Sequence, residues 1–361
     1  MHPSASIAAL CRRWCGAAPV SIAPLGTPGF SGSHVFVVEL SDRPGRFVLK
    51  SFHAGASVEH ARFVHGLVTH LRGENSTPLA ELIVALDGGT IVIDAEGRLW
   101  ELSRFMSGVA VPCPTPAQAA AAATALAQLH LAAARLVTHP PRKDLSPGLA
   151  LRIERARELL ARPWQARCHA WSHAARDRMP ADRWTALDAR VATAIDLFNA
   201  AGGNAFLARV ASIQLDSCVL QPVIRDVWYD HVLFAEQTSD AVTAIIDLHA
   251  AGIDTPATDL GRLVGSWSAP AGRERMSLVD RWPEAIAAYD RVRPLSAVEA
   301  RLVPVLYATG VVFGIDNWFR WTLEDYREFP NDRRMLDRID RLLQELPAAI
   351  ATAWTAAGNA D

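Results

Sequence analysis

A proline-rich segment divides this sequence of 361 residues into two parts of different character. Residues 111–116, VPCPTP, cannot form a regular helix, because a proline lacks the backbone N–H and its ring clashes with the preceding turn. Before this segment, short apolar runs are bounded by turn residues, as is typical of strands. After it, apolar residues recur mainly at helical spacing. The sequence therefore predicts an α+β protein with a strand-rich lobe over residues 1–110 and a mainly helical lobe over residues 111–361.

The second part contains one stretch that is not helical. Helical patterns cover residues 117–137, 149–162, 181–200, 282–291, 296–323 and 332–356, and Pro304 predicts a kink or a break in the fifth of these. Residues 232–234 and 242–246 are instead rich in β-formers and enclose a polar turn, which predicts a hairpin within the segment of about 221–260. A tight hairpin brings Asp226, before its first strand, close to Asp247, after its second.

Two carboxylates at strand ends have two interpretations. They can hold a divalent cation and orient a hydroxyl group, which is the arrangement that phosphoryl transfer needs. An isolated aspartate is, however, more often an ordinary turn or cap residue. The pattern upstream of Asp226 and Asp247 favours the first interpretation.

That upstream pattern begins with a glycine-rich turn, GTPGFSGS at residues 26–33, followed by an alternating strand at 34–40. The return strand carries Lys50. Glycines allow backbone N–H groups to approach phosphate oxygens, and a lysine supplies a positive charge for them. The loop matches neither the dinucleotide nor the Walker spacing, so an ordinary hairpin explains it equally well. A helix is predicted over 57–72, and Glu59 in its first turn is either solvated or paired with Lys50.

Taken in order, these elements resemble the aminoglycoside phosphotransferase and choline kinase family, the small-molecule kinases of the protein-kinase-like fold, from about residue 21 to about residue 263. The resemblance implies that the loop over the nucleotide phosphates contains Gly29, Ser31 and Gly32. It implies that Lys50 binds the nucleotide with Glu59 as its helix partner. Residues 98–108, which include Glu101, resemble the last strand and the hinge where adenine binds.

The resemblance also implies roles in the second lobe. Asp226 matches the catalytic aspartate, Asp247 the metal ligand, and Asp259 the residue that supports the catalytic loop. The implied cofactors are ATP and Mg²⁺, with Mn²⁺ as an alternative metal. The sequence departs from the family at 224–226, where Ile-Arg-Asp stands for His-Gly-Asp, and at His231, where the family has a metal-binding asparagine.

His231 is therefore a second candidate metal ligand with three possible outcomes. It binds a softer metal, it turns away and leaves one Mg²⁺ on Asp247, or it marks an inactive protein. We expect the second outcome, because losing one ligand is a smaller change than switching the metal.

The resulting hypothesis is an ATP-dependent phosphotransferase that acts on a hydroxyl group of a small molecule, such as a sugar, an aminoglycoside-like compound or an amino alcohol. The alternative is a degenerate relative that binds nucleotide without turnover. A protein kinase is disfavoured, because the sequence contains no Asp-Phe-Gly or Ala-Pro-Glu signature.

The acceptor side is less well marked. Trp228 and Asp230 lie in the catalytic loop, and Asp316 and Trp318 lie in a segment that mixes polar and aromatic groups, so these four are candidates for substrate contact. Against them, tryptophan at helical spacing is more often a core residue, and Asp230 could simply cap a turn. A polycationic aminoglycoside would need an acidic cleft, for which the sequence offers only Asp230, Asp316, Glu324, Asp325 and Glu328.

Charge and composition exclude several other classes. A net charge of −2 provides no general attraction for nucleic acid. Five scattered cysteines indicate neither a disulfide framework nor a zinc site, which favours reduced thiols and a cytoplasmic location. Arg12 and Arg13 interrupt the first apolar run, so no signal peptide is predicted, and polar residues in 117–137 favour a core helix over a membrane span.

Overall fold

The computed structural model describes residues 3–26, 30, 32–74, 78–214 and 216–354. The helices in these ranges are α1 (Pro3–Cys15), α2 (Val58–Gly73), α3 (Pro116–Ala133), α4 (Pro147–Ala161), α5 (Trp164–Ala175), α6 (Ala181–Ala200), α7 (Gly203–Ala211), α8 (Ala257–Ser266), α9 (Leu278–Arg281), α10 (Pro283–Val292), α11 (Ala297–Phe319) and α12 (Asp332–Thr352). The strands are β1 (Ser21–Pro24), β2 (Val35–Glu39), β3 (Arg46–Ser51), β4 (Val92–Ile93), β5 (Leu99–Arg104), β6 (Val109–Ala110), β7 (Arg142–Asp144), β8 (Cys218–Val223), β9 (Val232–Phe234), β10 (Val242–Ile245) and β11 (Gly252–Asp254).

The first part of the chain forms a five-stranded antiparallel sheet with the strand order β1-β2-β3-β5-β4. Its core packs Phe47 and Leu49 of β3 with Trp14 of α1, all fully buried. Trp14 also donates its indole N–H to the carbonyl oxygen of Ile83 at 3.0 Å. The register places Lys50 opposite Glu101, so β3 and β5 present both side chains at the same level.

Two small sheets interrupt the helices of the second part. The predicted hairpin is present as β9 and β10, and the order of its sheet is β10-β9-β6. The other sheet has the order β11-β8-β7. Asp226 follows the end of β8 and Asp247 follows the end of β10, so each aspartate lies where a strand stops.

The helical core surrounds α11, which packs against α8 and α12. Of the two alternatives predicted at Pro304, the break is wrong, since α11 runs unbroken from Ala297 to Phe319, and the kink stays a prediction. Most of its side chains are buried on both sides, and this packing offsets the backbone hydrogen bond that the proline removes. The segment Ala297–Glu324 is long and apolar enough to cross a membrane, but 72% of its apolar window is buried inside the protein, as in a core helix.

Helices α1, α5, α7 and α9 were not predicted from the sequence, whereas the predicted helices near α2, α3, α4, α6, α10, α11 and α12 are present. All five cysteines are free thiols.

The contact between α8 and α11 depends on Gly261. A methyl group at this position would lie 2.8 Å from the backbone carbonyl oxygen of Val303, which cannot move away without distorting α11. We expect Gly261→Ala to destabilise the protein by about 1–3 kcal/mol, the usual cost of overpacking a core. The control is Gly66→Ala, at an exposed helical position with no neighbour within 4 Å, where alanine should keep or raise stability. Thermal melts of both variants make the comparison, and equal melting temperatures would contradict this account.

Candidate active site

Asp259 holds the loop that precedes Asp226. Its carboxylate is fully buried in α8 and accepts the backbone N–H groups of Ile224 and Arg225, both at 2.6 Å. His130 of α3 lies 3.0 Å from the same carboxylate through Nε2. The support that was expected from Asp259 is therefore present.

Asp226 is fixed by two donors. Its Oδ1 accepts the indole N–H of Trp228 at 2.7 Å and the guanidinium of Arg262, with Nε at 3.1 Å and Nη2 closer. Burial works to raise the pKa of Asp226, but the charge and hydrogen bonds of Arg262 and the bond from Trp228 outweigh it, so the pKa is lowered. The carboxylate is thus ionised at neutral pH and held in one orientation.

A cavity of about 390 Å³ lies under the first sheet, with apolar walls and a polar end. Its apolar walls include Leu25, Val35, Val48, Leu82, Met106 and Ile246. Lys50 and Asp247 form the polar end, where Nζ lies 2.6 Å from Oδ1. The segment after β5, which was predicted to be the hinge, contributes Phe105 and Met106. The cavity therefore has an apolar part and a charged part side by side.

Asp247 is ionised, and its side chain is 38% exposed. Burial alone would raise the pKa of its carboxyl group, but the charges of Lys50, His231 and His249 hold the pKa well below its usual range. Asp247 also has a left-handed backbone conformation with φ of 63°, which is rare for a residue other than glycine.

The predicted pairing of Lys50 with Glu59 is wrong. Glu59 is exposed in the first turn of α2, and Lys50 instead pairs with Asp247. The buried acid beside Lys50 is Glu101, which lines the cavity and contacts His65 at 2.7 Å and His249 at 2.9 Å. Burial works to raise the pKa of Glu101, but these two histidines, His249 above all, hold it far below its usual range.

His231 lies between the two aspartates. Its Nδ1 is 2.9 Å from the backbone carbonyl oxygen of Asp226, and its Nε2 is 3.9 Å from Oδ2 of Asp247. The ring is therefore not turned away, contrary to expectation. Asp230, predicted to contact substrate, instead lines the cavity that contains Lys50 and Asp247. Its Oδ1 lies 3.8 Å from Nε2 of His231. No group of three or more His, Cys, Asp or Glu side chains suited to a metal occurs among the described residues.

A second, larger cavity of about 1,220 Å³ lies on the other side of the catalytic loop. Asp226, Trp228 and Trp318 line it, and contact of the two tryptophans with a substrate stays a prediction. Asp316 does not line either cavity, and its predicted role in substrate contact is wrong. Its carboxylate is fully buried and is neutralised by Arg155 and Arg167 and hydrogen-bonded by Trp164, which makes it a core group.

The glycine-rich turn is described only in part. Gly29 and Ser31 lie outside the described residues, and Gly32 is exposed with φ of 73°, in the left-handed region that favours glycine. Phe30 packs against Trp318 with ring centroids 4.8 Å apart and lines the larger cavity. Phe30 therefore contacts the helical part of the chain.

Sequence reasoning missed several residues of this site. Arg262, Arg152 and Arg338 line the larger cavity, and His65 and His249 surround Glu101. A signal existed for Arg262, because it follows Asp259 by three residues and so lies on the same side of α8. The other residues belong to separate elements, and no local pattern marks them.

Comparison with known proteins identifies the family. A family model described as the phosphotransferase enzyme family matches residues 27–295. A search of curated protein sequences finds no match. Among solved structures, an aminoglycoside phosphotransferase from Alicyclobacillus acidocaldarius is 18% identical over 98% of this chain and 96% of that chain, with a TM-score of 0.55.

Two further structures show the same architecture. A spectinomycin phosphotransferase, solved with ADP and spectinomycin, is 12% identical over 97% of both chains with a TM-score of 0.59. A microcompartment-associated aminopropanol kinase is 13% identical over 93% of both chains with a TM-score of 0.55. These structural similarities show the fold, which is the two-lobed, protein-kinase-like α+β fold expected from the sequence. Because the family model spans well over half of its length, the chain belongs to the phosphotransferase enzyme family.

Proposed function

We propose that this protein transfers the γ-phosphate of ATP to a hydroxyl group of a small molecule. The observation that carries the proposal is that one loop, residues 226–231, borders both cavities. Asp230 and His231 face the cavity that contains Lys50 and Asp247, while Asp226 and Trp228 face the larger one. A phosphate donor in the first cavity and an acceptor in the second would meet at this loop.

Asp226 would orient the acceptor hydroxyl and take its proton. A bond forms between the hydroxyl oxygen and the γ-phosphorus as the bond to the β–γ bridging oxygen breaks, and ADP leaves. An ionised carboxylate with a lowered pKa is a weak base. This suits phosphoryl transfer, in which the protein contributes mainly positioning and charge stabilisation.

Lys50 and Asp247 would act on the nucleotide. The apolar walls of the smaller cavity suit adenine, and Lys50 at its polar end suits phosphate oxygens. Mg²⁺ is usually held by one or two carboxylates together with phosphates and water, so the ionised Asp247 fits as its protein ligand. When bound, Mg²⁺ would neutralise charge on the phosphates.

A nucleotide-binding protein without turnover is the second candidate. It is favoured by the ion pair that Arg262 forms with Asp226, since this pair occupies the proposed base. Turnover of ATP in the presence of hydroxyl compounds separates the two functions. A cytoplasmic location is part of the same proposal.

Replacing Lys50 and Asp226 should separate binding from chemistry. Lys50→Ala removes a charged phosphate contact, so ATP affinity should fall by about tenfold or more. Asp226→Asn keeps the shape but loses the base, so turnover should fall by about 100-fold or more while ATP affinity stays nearly unchanged. Calorimetry with ATP measures the affinity, and a phosphate-transfer assay measures the turnover. Lys143→Ala, an exposed lysine in β7, is the control, and loss of ATP affinity in Asp226→Asn would refute this division of roles.

Asp247 should make ATP binding depend on metal. In the parent protein, ATP with Mg²⁺ should raise the melting temperature more than ATP alone, because a ligand of the native state stabilises it. In Asp247→Ala this difference should disappear. The same additional stabilisation by Mg²⁺ in both proteins would show that the metal is held elsewhere.

His231→Asn should keep or raise Mg²⁺-dependent transfer. An asparagine amide can still donate to the carbonyl oxygen of Asp226 and adds a hard oxygen ligand near Asp247, which Mg²⁺ prefers to imidazole nitrogen. Turnover of both proteins is to be compared in Mg²⁺ and in Mn²⁺. If the variant loses activity with both metals, His231 has a positive role that an amide cannot replace.

A further inference from the structure

The larger cavity is rich in arginine. The described residues that line it include six arginines and a single carboxylate, Asp226, which Arg262 already neutralises. The arginines are Arg152, Arg155, Arg262, Arg320, Arg327 and Arg338. An acceptor in this cavity therefore meets a positive field.

Some of these arginines have internal partners and some do not. Arg155 is paired with Asp316 and Glu158 and belongs to the framework. Arg152 donates to the carbonyl oxygen of Gly148, but its Nε is buried and has no hydrogen-bond partner. Arg338 stacks over the ring of Trp228 at 3.6 Å and forms no ion pair with any described residue. Within the described part of the chain, Arg152 and Arg338 thus form no direct ion pair, although Asp254 acts electrostatically on Arg152, and Asp230 and Asp226 act on Arg338.

A small annex of about 40 Å³ adjoins the cavity at this place and shares Arg152, Arg262 and Arg338 with it. Since a single water needs about 10–15 Å³, the annex has room for a small polyatomic group. Arg341 and Thr258 also line it, and Nη2 of the arginine and Oγ1 of the threonine are buried without partners. Unpartnered donors from α4, α8 and α12 therefore meet around one space.

The annex also contains one carboxylate, Glu345, which is not free to balance these charges. Glu345 accepts hydrogen bonds from Arg281, at 2.6 Å, and from Tyr307. Burial above all, together with neighbouring arginines such as Arg262, lowers the pKa values of Arg152 and Arg338 to about 10, although Asp254 acts against this at Arg152, and Asp230 and Asp226 act against it at Arg338. Both groups stay protonated at neutral pH, in surroundings where an anion would be stabilising.

We propose that the acceptor carries an anionic group, a carboxylate or a phosphate, in addition to the hydroxyl that receives the phosphoryl group. The anionic group occupies the annex between Arg152, Arg338 and Arg341. Trp228 and Trp318 flank the rest of the molecule. This inference rests on the proposed function, whose acceptor class it specifies.

A polycationic aminoglycoside is disfavoured by the same geometry. Of the acidic residues that the sequence offers for it, Asp316 is buried and neutralised, and Asp230 faces the other cavity. The remaining three line neither cavity: Glu324, Asp325 and Glu328. Its amino groups would meet arginines at close range, and the like charges would repel.

Arg262 connects the anionic group to catalysis. It lines both the annex and the larger cavity and is bound to Asp226. An anion in the annex competes with Asp226 for this guanidinium. Binding of the acceptor therefore weakens the ion pair and leaves Asp226 more available to the hydroxyl group.

The test measures binding without ATP, so that it does not depend on turnover. Calorimetric titrations compare four alcohols of one skeleton: 4-(hydroxymethyl)benzoate, 4-(hydroxymethyl)phenyl phosphate, the neutral 4-(hydroxymethyl)benzamide and the cationic 4-(hydroxymethyl)benzylamine. We expect an anion to bind at least about tenfold more tightly than the amide, since charge-assisted hydrogen bonds to arginine are strong, and the amine to bind most weakly. The order of the benzoate and the phosphate ester distinguishes the two anion chemistries.

Substitutions of arginines show which side chain binds the anion. Arg338→Ala and the milder Arg338→Gln should each reduce the preference for the anion over the amide by about tenfold, whereas Arg333→Ala, on the exposed side of α12, should not. Asp226→Asn should strengthen anion binding, because Arg262 loses its competing partner.

The outcomes separate this inference from the proposed function. Equal affinity for the anions and the amide, preference for the amine, or anion binding that survives in both Arg338 variants would overturn the inference. Anion binding that depends on Arg338, together with no phosphate transfer from ATP to any of the four alcohols, would support the inference and count against the proposed function. Transfer of phosphate to the amine alone would support the proposed function and count against the inference.

Discussion

The buried carboxylate of Asp259 connects the main parts of the helical lobe with the catalytic loop. It accepts the N–H groups of Ile224 and Arg225, and His130 of α3 binds it through Nε2. Burial lowers the pKa of His130, so the ring is neutral, and its Nδ1 faces the hydroxyl group of Tyr289 in α10 at 2.7 Å. A charge buried at this depth is tolerated only because its donors are in place, so the position of α3, α8 and α10 and that of the loop are determined together.

The backbone is strained at the positions where chemistry is proposed. Arg225 and Asp247 have φ of 65° and 63°, a conformation that costs about 1–3 kcal/mol for such residues. Arg225 is held by Asp259 and by its own bond to the carbonyl oxygen of Ile253 at 2.8 Å. Its guanidinium lies 2.4 Å from where a Cβ on Gly252 would stand, so a larger residue at this position would have to displace the Arg225 side chain. The left-handed conformation changes the direction of the backbone at Arg225 and at Asp247.

Both aspartates of the site are paired with cations from distant elements. Lys50 of the first sheet binds Asp247, and Arg262 of α8 binds Asp226. Such pairs keep the carboxylates ionised without a ligand present, and they can be exchanged for contacts with a phosphate or an anionic acceptor. The two cavities differ in their walls: one is mainly apolar and suits a flat base, whereas the other combines tryptophans with six arginines.

The sequence by itself determined the features that depend on neighbouring residues. The proline-rich segment, the hairpin of β9 and β10, the alternating strands around Lys50 and the helical periods of the second part are local patterns, and the fold and family followed from their order. The tertiary structure decided which charges meet. Lys50 pairs with Asp247 and not with Glu59, and Asp316 is neutralised in the core by Arg155 and Arg167. The arginines of the annex come from α4, α8 and α12, and electrostatic contact between such distant segments depends on their packing in space, which no local pattern of the sequence records.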